Sequence, residues 1–193
     1  MILNYDEKII QVKIVYYGPA MSGKTTSIKY LFNYFNKEEQ LNSIDNSVGR
    51  TLFFDFGVLE FKGAEWNLKL LIYSATGQDF YSSTRPATLK GVDGIIFVVD
   101  SKRECLDHNF RSWKELEYYF DEELYQIPIV IALNKYDLGN GKKISETDLN
   151  QVIDFDKFKS IYIAETIAIT GEGLLYSFKK LIQSIFPKIS LNL

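Results

Sequence analysis

Gly18-Pro19-Ala20-Met21-Ser22-Gly23-Lys24-Thr25 fits the pattern G-x-x-x-x-G-K-[ST], a loop that wraps a phosphate group. Its flanks are those the pattern needs. Residues 8–17 (KIIQVKIVYY) form a β-branched and aromatic run ending at a glycine, which suits a buried strand. Residues 24–35 (KTTSIKYLFNYF) place Ile28, Leu31, Phe32 and Phe35 on one helical face. Glycines let the backbone curl so that successive N–H groups face the phosphates, and the helix N-terminus adds a favourable field. The expected phosphate-binding set is Gly18, Ala20, Met21, Ser22, Gly23, Lys24, Thr25 and Thr26. Lys24 spans the terminal phosphates as a point charge, and the Thr25 hydroxyl is a ligand for Mg²⁺. The loop predicts a nucleoside triphosphate and leaves the base open.

Outward from the loop, residues 36–48 are mostly polar without periodicity and read as a loop. Strands are expected at 51–61 and 66–73, and the short Lys62-Gly63-Ala64-Glu65 separation predicts an antiparallel hairpin. The runs 94–99 (GIIFVV) and 127–133 (IPIVIAL) are continuously apolar, as strands buried on both faces of a parallel sheet are. A helix is expected over 110–120 between them. Ser145-Glu146-Thr147-Asp148 resembles a capping box with Asp in place of Glu and predicts a short helix. A last strand at 160–164 and an amphipathic helix at 174–186, stopped by Pro187, complete one domain over 1–193. Strands alternating with helices specify a three-layer α/β fold.

Asn134-Lys135-Tyr136-Asp137 follows directly on the apolar run at 127–133, about 110 residues after the phosphate loop. A carboxylate in the plane of a purine accepts hydrogen bonds from the N1–H and 2-amino groups of guanine, and adenine offers no such pair. Asp137 is therefore expected to select guanine, with Asn134 and Lys135 bracing the base and the loop.

Composition narrows the alternatives. A net charge of −3 argues against a nucleic-acid partner, whose footprint is a basic face. Cys105 is the single cysteine and His108 the single histidine, so a disulfide framework, a thiolate zinc cluster and a His-dependent triad are not expected. Both read as loop or helix surface. No run is long enough to span a bilayer, and the N-terminus lacks the basic-then-apolar order of a signal peptide. Ile2 stands where myristoylation needs glycine, and Ser190-Leu191-Asn192-Leu193 has no prenylation cysteine, so no lipid anchor and a cytoplasmic location are expected.

Taken in order, these segments resemble the Ras-superfamily GTPases over essentially the whole chain. Glu165-Thr166-Ile167-Ala168 resembles that family's E-T-S-A segment, in which a backbone amide near the alanine (here Ala168) faces the guanine carbonyl; Ile167 replaces the serine and Ile169 the following lysine. The resemblance implies a P-loop NTPase fold of the Ras-like G-domain type, a mostly parallel six-stranded sheet with one antiparallel strand. It also implies GTP or GDP with Mg²⁺ as ligands. The family's Asp-x-x-Gly segment is matched by Ser74-Ala75-Thr76-Gly77-Gln78, with Gly77 as the γ-phosphate sensor and an uncharged Ser74 at the metal-holding position.

GPAMSGKTT, the strand Arg50-Thr51-Leu52-Phe53-Phe54-Asp55-Phe56, the uncharged Ser74 and Gly77-Gln78-Asp79-Phe80-Tyr81 resemble the MglA-like branch of prokaryotic small GTPases. That resemblance implies Thr51 as the first-switch threonine that closes on Mg²⁺ and the γ-phosphate, so the expected metal ligands are Thr25 and Thr51. It implies Arg50 as an arginine finger in cis and Gln78 as the residue that positions the attacking water, beside Lys24 and Thr51. It further implies a GTPase-activating partner, a Roadblock-type dimer, and an effector. Phe80 and Tyr81 are expected either as a partner surface or as packing beneath the second switch. Two functions follow, a GTP-hydrolysing molecular switch and, as the alternative, a GTP-binding scaffold with negligible hydrolysis.

Overall fold

The computed structural model describes residues 1–42, 54–77, 85–138 and 143–187. β1 (Ile2–Asn4) folds back antiparallel on the start of β2 (Ile9–Tyr17), and α1 (Lys24–Tyr34) follows β2. β3 (Leu41–Asn42) pairs antiparallel with β4 (Phe54–Phe61), which pairs antiparallel with β5 (Asn67–Ala75). The rest alternates: α2 (Arg85–Leu89), β6 (Gly94–Asp100), α3 (Leu106–Phe120), β7 (Ile129–Asn134), α4 (Glu146–Leu149), β8 (Ile161–Glu165) and α5 (Leu174–Ile185). The sheet runs β3-β4-β5-β2-β6-β7-β8, with β1 off this path. β5, β2, β6, β7 and β8 are parallel to one another.

The period-two geometry of strands explains the three layers. In β2, Val12, Ile14 and Tyr16 face one side with Ile28, Leu31 and Phe32 of α1 and Phe178, Leu181 and Ile182 of α5. Val15 and Tyr17 face the other side with Leu89, Trp113, Leu116 and Leu149 from α2, α3 and α4. β6 and β7 divide the same way, Ile96, Val98, Val130 and Ala132 against Ile95, Phe97, Val99, Ile129, Ile131 and Leu133. Continuous apolar runs are thus strands covered on both faces, and each fully buried Ile, Leu or Phe contributes about 1.5–3 kcal/mol of transfer free energy.

The expected α/β sheet is present, with the hairpin through 62–65 as read. Two short antiparallel strands extend it. β1 has all three residues exposed, so it carries no hydrophobic alternation to be read. The expected loop at 36–48 contains a 3₁₀ turn (Glu38–Gln40) and β3 within its described part. α3 begins four residues before the expected position, at Leu106, because Asn109 is buried by hydrogen bonding rather than by hydrophobicity. α1 ends in a Schellman motif, the Lys37 N–H donating to the Phe32 carbonyl and the Asn36 N–H to Asn33. Ser145 and Asp148 form the reciprocal capping box that opens α4. Cys105 is half-buried in the turn before α3, and His108 is exposed on it. Among the described residues no helix is long and apolar enough to cross a membrane.

Candidate functional site

β2 lies where the chain's path through the sheet reverses, first toward β4 and β5, then toward β6, β7 and β8. In open α/β sheets the crevice at the carboxyl ends of strands at such a point is the binding position. Here it gathers the loop after β2, the end of β5, the end of β7 and the turn after β8.

The loop holds its shape through backbone geometry. Gly23 has φ 105° and sits at the N-cap of α1, and a Cβ there would lie 2.1 Å from the Asn134 amide nitrogen. Only glycine combines that dihedral with that approach. No side chain caps α1, so its first N–H groups face the loop. Met21 also takes a left-handed φ of 63° and is exposed, as are Ala20 and Thr26. Ser22 is fully buried, and its hydroxyl has no hydrogen-bond partner among the described residues. Lys24 is buried and donates to the Gly18 carbonyl at 2.9 Å and the Pro19 carbonyl at 2.7 Å. Burial, and after it the Arg85 guanidinium, lower its pKa to about 7 against the opposing pull of Asp55. A buried ammonium in this state is stabilised by any anion brought to the loop.

Thr25 donates its hydroxyl proton to the Asp55 carboxylate at 2.6 Å. Asp55 is fully buried on β4 and stands directly across the β4–β5 ladder from Ser74. Ser74 is fully buried too, its hydroxyl unpartnered among the described residues. Sequence reading left Thr25 and Thr51 as the protein donors to a metal and counted Ser74 as a lost charge. The structure puts a carboxylate on the neighbouring strand, on the same face. One signal was available: Asp55 is an acid set among aromatic residues, Phe53-Phe54-Asp55-Phe56. A hydroxyl, a carboxylate and an orphaned second hydroxyl form an oxygen donor set that fits a hydrated Mg²⁺.

Gly77 reaches the loop from the other side. A Cβ at Gly77 would fall 2.3 Å from the Ala20 amide nitrogen, so the segment after β5 abuts the phosphate loop at backbone contact. The preceding Thr76 carbonyl accepts from Arg85 Nε at 2.9 Å, and Arg85 also pairs with Glu115 of α3. Arg85 is therefore buried, bolting the end of β5 to α3.

Asn134 joins three loops. Its amide nitrogen donates to the Ser22 carbonyl at 2.7 Å, and its amide oxygen accepts from the Ala168 N–H at 2.9 Å and the Thr166 hydroxyl at 3.3 Å. Lys135 adopts φ 59° and pairs with Asp100 at 2.5 Å, while Asp137 is exposed. Ala168 is buried, and Ile169, where the family has lysine, is 83% exposed. The structure thus brings Gly77, Asn134 and Ala168 against the loop of Gly18, Ala20, Met21, Ser22, Gly23, Lys24, Thr25 and Thr26, and Lys135 and Asp137 follow Asn134 in the turn after β7. Arg50, Thr51, Gln78, Phe80 and Tyr81 lie outside the described residues.

Comparison with known proteins agrees with this layout. The family model described as "ADP-ribosylation factor family" matches residues 2–185. The mutual gliding-motility protein MglA of Myxococcus xanthus is 34% identical over 97% of this chain and 96% of its own length. The Ras-related protein RABA3 of Arabidopsis thaliana is 27% identical over 95% of this chain and 73% of its own length. The Ras-related protein Rab-18-B of Danio rerio is 24% identical over 93% and 82%. The match to the family model spans nearly all the elements that build the crevice. The chain belongs to the ADP-ribosylation factor family of Ras-like small GTPases.

Proposed function

We propose that the chain is a molecular switch that binds GTP with Mg²⁺, hydrolyses it slowly and presents different surfaces to partner proteins in its GTP and GDP states. The observation that carries this reading is the Asn134 side chain, which ties the phosphate loop, the base loop and the Ala168 turn into one site. Hydrolysis requires little covalent chemistry; positioning and electrostatic stabilisation lower the barrier. The loop N–H groups and Lys24 hold the β- and γ-phosphates. Asp137 accepts from the guanine N1–H and 2-amino groups, with the Ala168 amide toward the carbonyl. Gln78 orients the attacking water, Arg50 neutralises charge developing on the transferred group, and Thr51 and Gly77 order on the γ-phosphate. Thr25, Thr51 and Asp55 are the residues that would hold Mg²⁺, with Ser74 bonding to its water; the ion, when bound, neutralises the phosphate oxygens. Loss of the γ-phosphate releases the contacts at Thr51 and Gly77, and the surface around them changes. An activating protein of the Roadblock type and an effector are the partners the MglA-like resemblance implies.

Competition against a fluorescent GDP tests this function. GDP is expected to compete at least a hundredfold better than ADP, because a site built to accept from the guanine N1–H and 2-amino groups rejects a base that lacks both donors by at least that order. Equal competition by the two nucleotides would sink the guanine assignment.

The non-hydrolysing scaffold drew its support from Ser74, and the Asp55 carboxylate beside Thr25 removes most of that support. Asp55→Asn keeps the shape and hydrogen bonding but removes the charge. In this variant the Mg²⁺ concentration needed for half-maximal single-turnover hydrolysis is expected to rise at least tenfold, with GDP binding in EDTA unchanged. An unaltered Mg²⁺ dependence would remove Asp55 from the metal site.

A further inference from the structure

We infer that Asp100 is the positioning residue of the guanine side of the site, acting through Lys135. This rests on the proposed guanine-nucleotide reading and deepens it.

Asp100 ends β6 and pairs in register with Asn134 at the end of β7. It is 6% exposed, and its backbone is clamped from both directions by one buried side chain of α3. The Asn109 amide oxygen accepts from the Asp100 N–H at 3.1 Å, and the Asn109 amide nitrogen donates to the Asp100 carbonyl at 2.9 Å. One carboxylate oxygen accepts from the Lys102 N–H at 3.2 Å, and the other takes the Lys135 ammonium. A carboxylate so fixed dictates where the lysine Nζ sits.

Lys135 needs such a fixture. Its backbone occupies the left-handed region at φ 59°, which costs a non-glycine residue about 1–3 kcal/mol unless the surroundings over-determine it. The Tyr136 N–H to Thr166 carbonyl bond and the Leu138 N–H to Lys135 carbonyl bond hold the chain on the far side. The Asp100 pair holds the side chain. With its ammonium tethered to a buried carboxylate, Lys135 offers a ligand its methylene stem, an apolar wall one residue from Asn134 and two from Asp137. Ile169, exposed on the Ala168 turn, is apolar as well. Lys135 thus borders the proposed base slot with aliphatic carbon, and Asp100, at the carboxyl end of the interior strand β6, sets its position.

The test is a double-mutant cycle read as the dissociation rate of fluorescent GDP, using Asp100→Asn, Lys135→Met and the pair. Asparagine keeps the bond to the Lys102 N–H, and methionine keeps a flexible apolar stem. Asp100→Asn is expected to release GDP about tenfold faster, the scale of one lost charge-assisted hydrogen bond. On the Lys135→Met background the same change is expected to add less than twofold. Melting temperatures of all four proteins, taken with GDP absent, separate this from unfolding, and Lys135→Met, at a half-exposed side chain, gives a folded reference. A wild-type protein that does not retain GDP overturns the guanine reading and this inference with it. A wild type that retains GDP overturns the tether alone, if Asp100→Asn leaves release unchanged or its effect multiplies in full on Lys135→Met.

Discussion

Asn134→Ala is expected to weaken GDP binding about a thousandfold. The amide is 1% exposed, and its loss orphans the Ser22 carbonyl, the Ala168 N–H and the Thr166 hydroxyl together. Each buried group left without a partner costs about 1–3 kcal/mol, and about 1.4 kcal/mol is tenfold in affinity. A thousandfold loss corresponds to roughly 4 kcal/mol, well within that range for three groups. The larger consequence is geometric, because the loop on the phosphates and the loops on the base lose their shared reference. Equilibrium titration with fluorescent GDP reads the effect directly, and a thermal melt separates it from global unfolding. An affinity within threefold of wild type, in a folded variant, would show that the three loops hold their places independently.

The second large effect concerns turnover. Arg50→Ala is expected to slow GTP hydrolysis in the presence of the activating protein by about 10³–10⁵, the range an arginine finger supplies. GDP affinity should stay the same, since the arginine acts on charge that develops only in the transition state. Single-turnover hydrolysis with and without the activating protein measures it. Full stimulation of the variant would mean that another group neutralises the transferred phosphoryl. Gln78→Leu offers a companion measurement, with normal GTP binding and lost turnover as the outcome that supports its role.

Much of the fold was legible because its signals are local. The runs 94–99 and 127–133 are continuously apolar, and residue order alone identifies them as strands covered twice. The loop from Gly18 to Thr25 declares itself through glycine spacing, and Ser145 with Asp148 through a three-residue offset. What stayed hidden depends on partners far apart in the chain. Thr25 and Asp55 are 30 positions apart, Lys135 and Asp100 are 35, and neither pair follows a sequence pattern. Arg85 carries no mark of burial in the sequence, yet it is buried, donating to the Thr76 carbonyl and pairing with Glu115. β1 was illegible for the opposite reason, since it owes its pairing to backbone hydrogen bonds and buries none of its side chains. The expectations for Arg50, Thr51 and Gln78 rest on resemblance, and the variants above are their test.

The rung that joins Asp55 to Ser74 bears on how such proteins are recognised at all. Directly opposed residues of an antiparallel pair keep their Cβ atoms roughly 5 Å apart on one face. An acid can therefore be traded between the two strands while its charge stays over the same spot. A search that demands aspartate at one alignment column would discard this chain as a degenerate relative. A search that asks for a carboxylate anywhere on that rung would keep it. For sites built on ladders, ancestry is better tracked by the place a charge occupies than by the strand that delivers it.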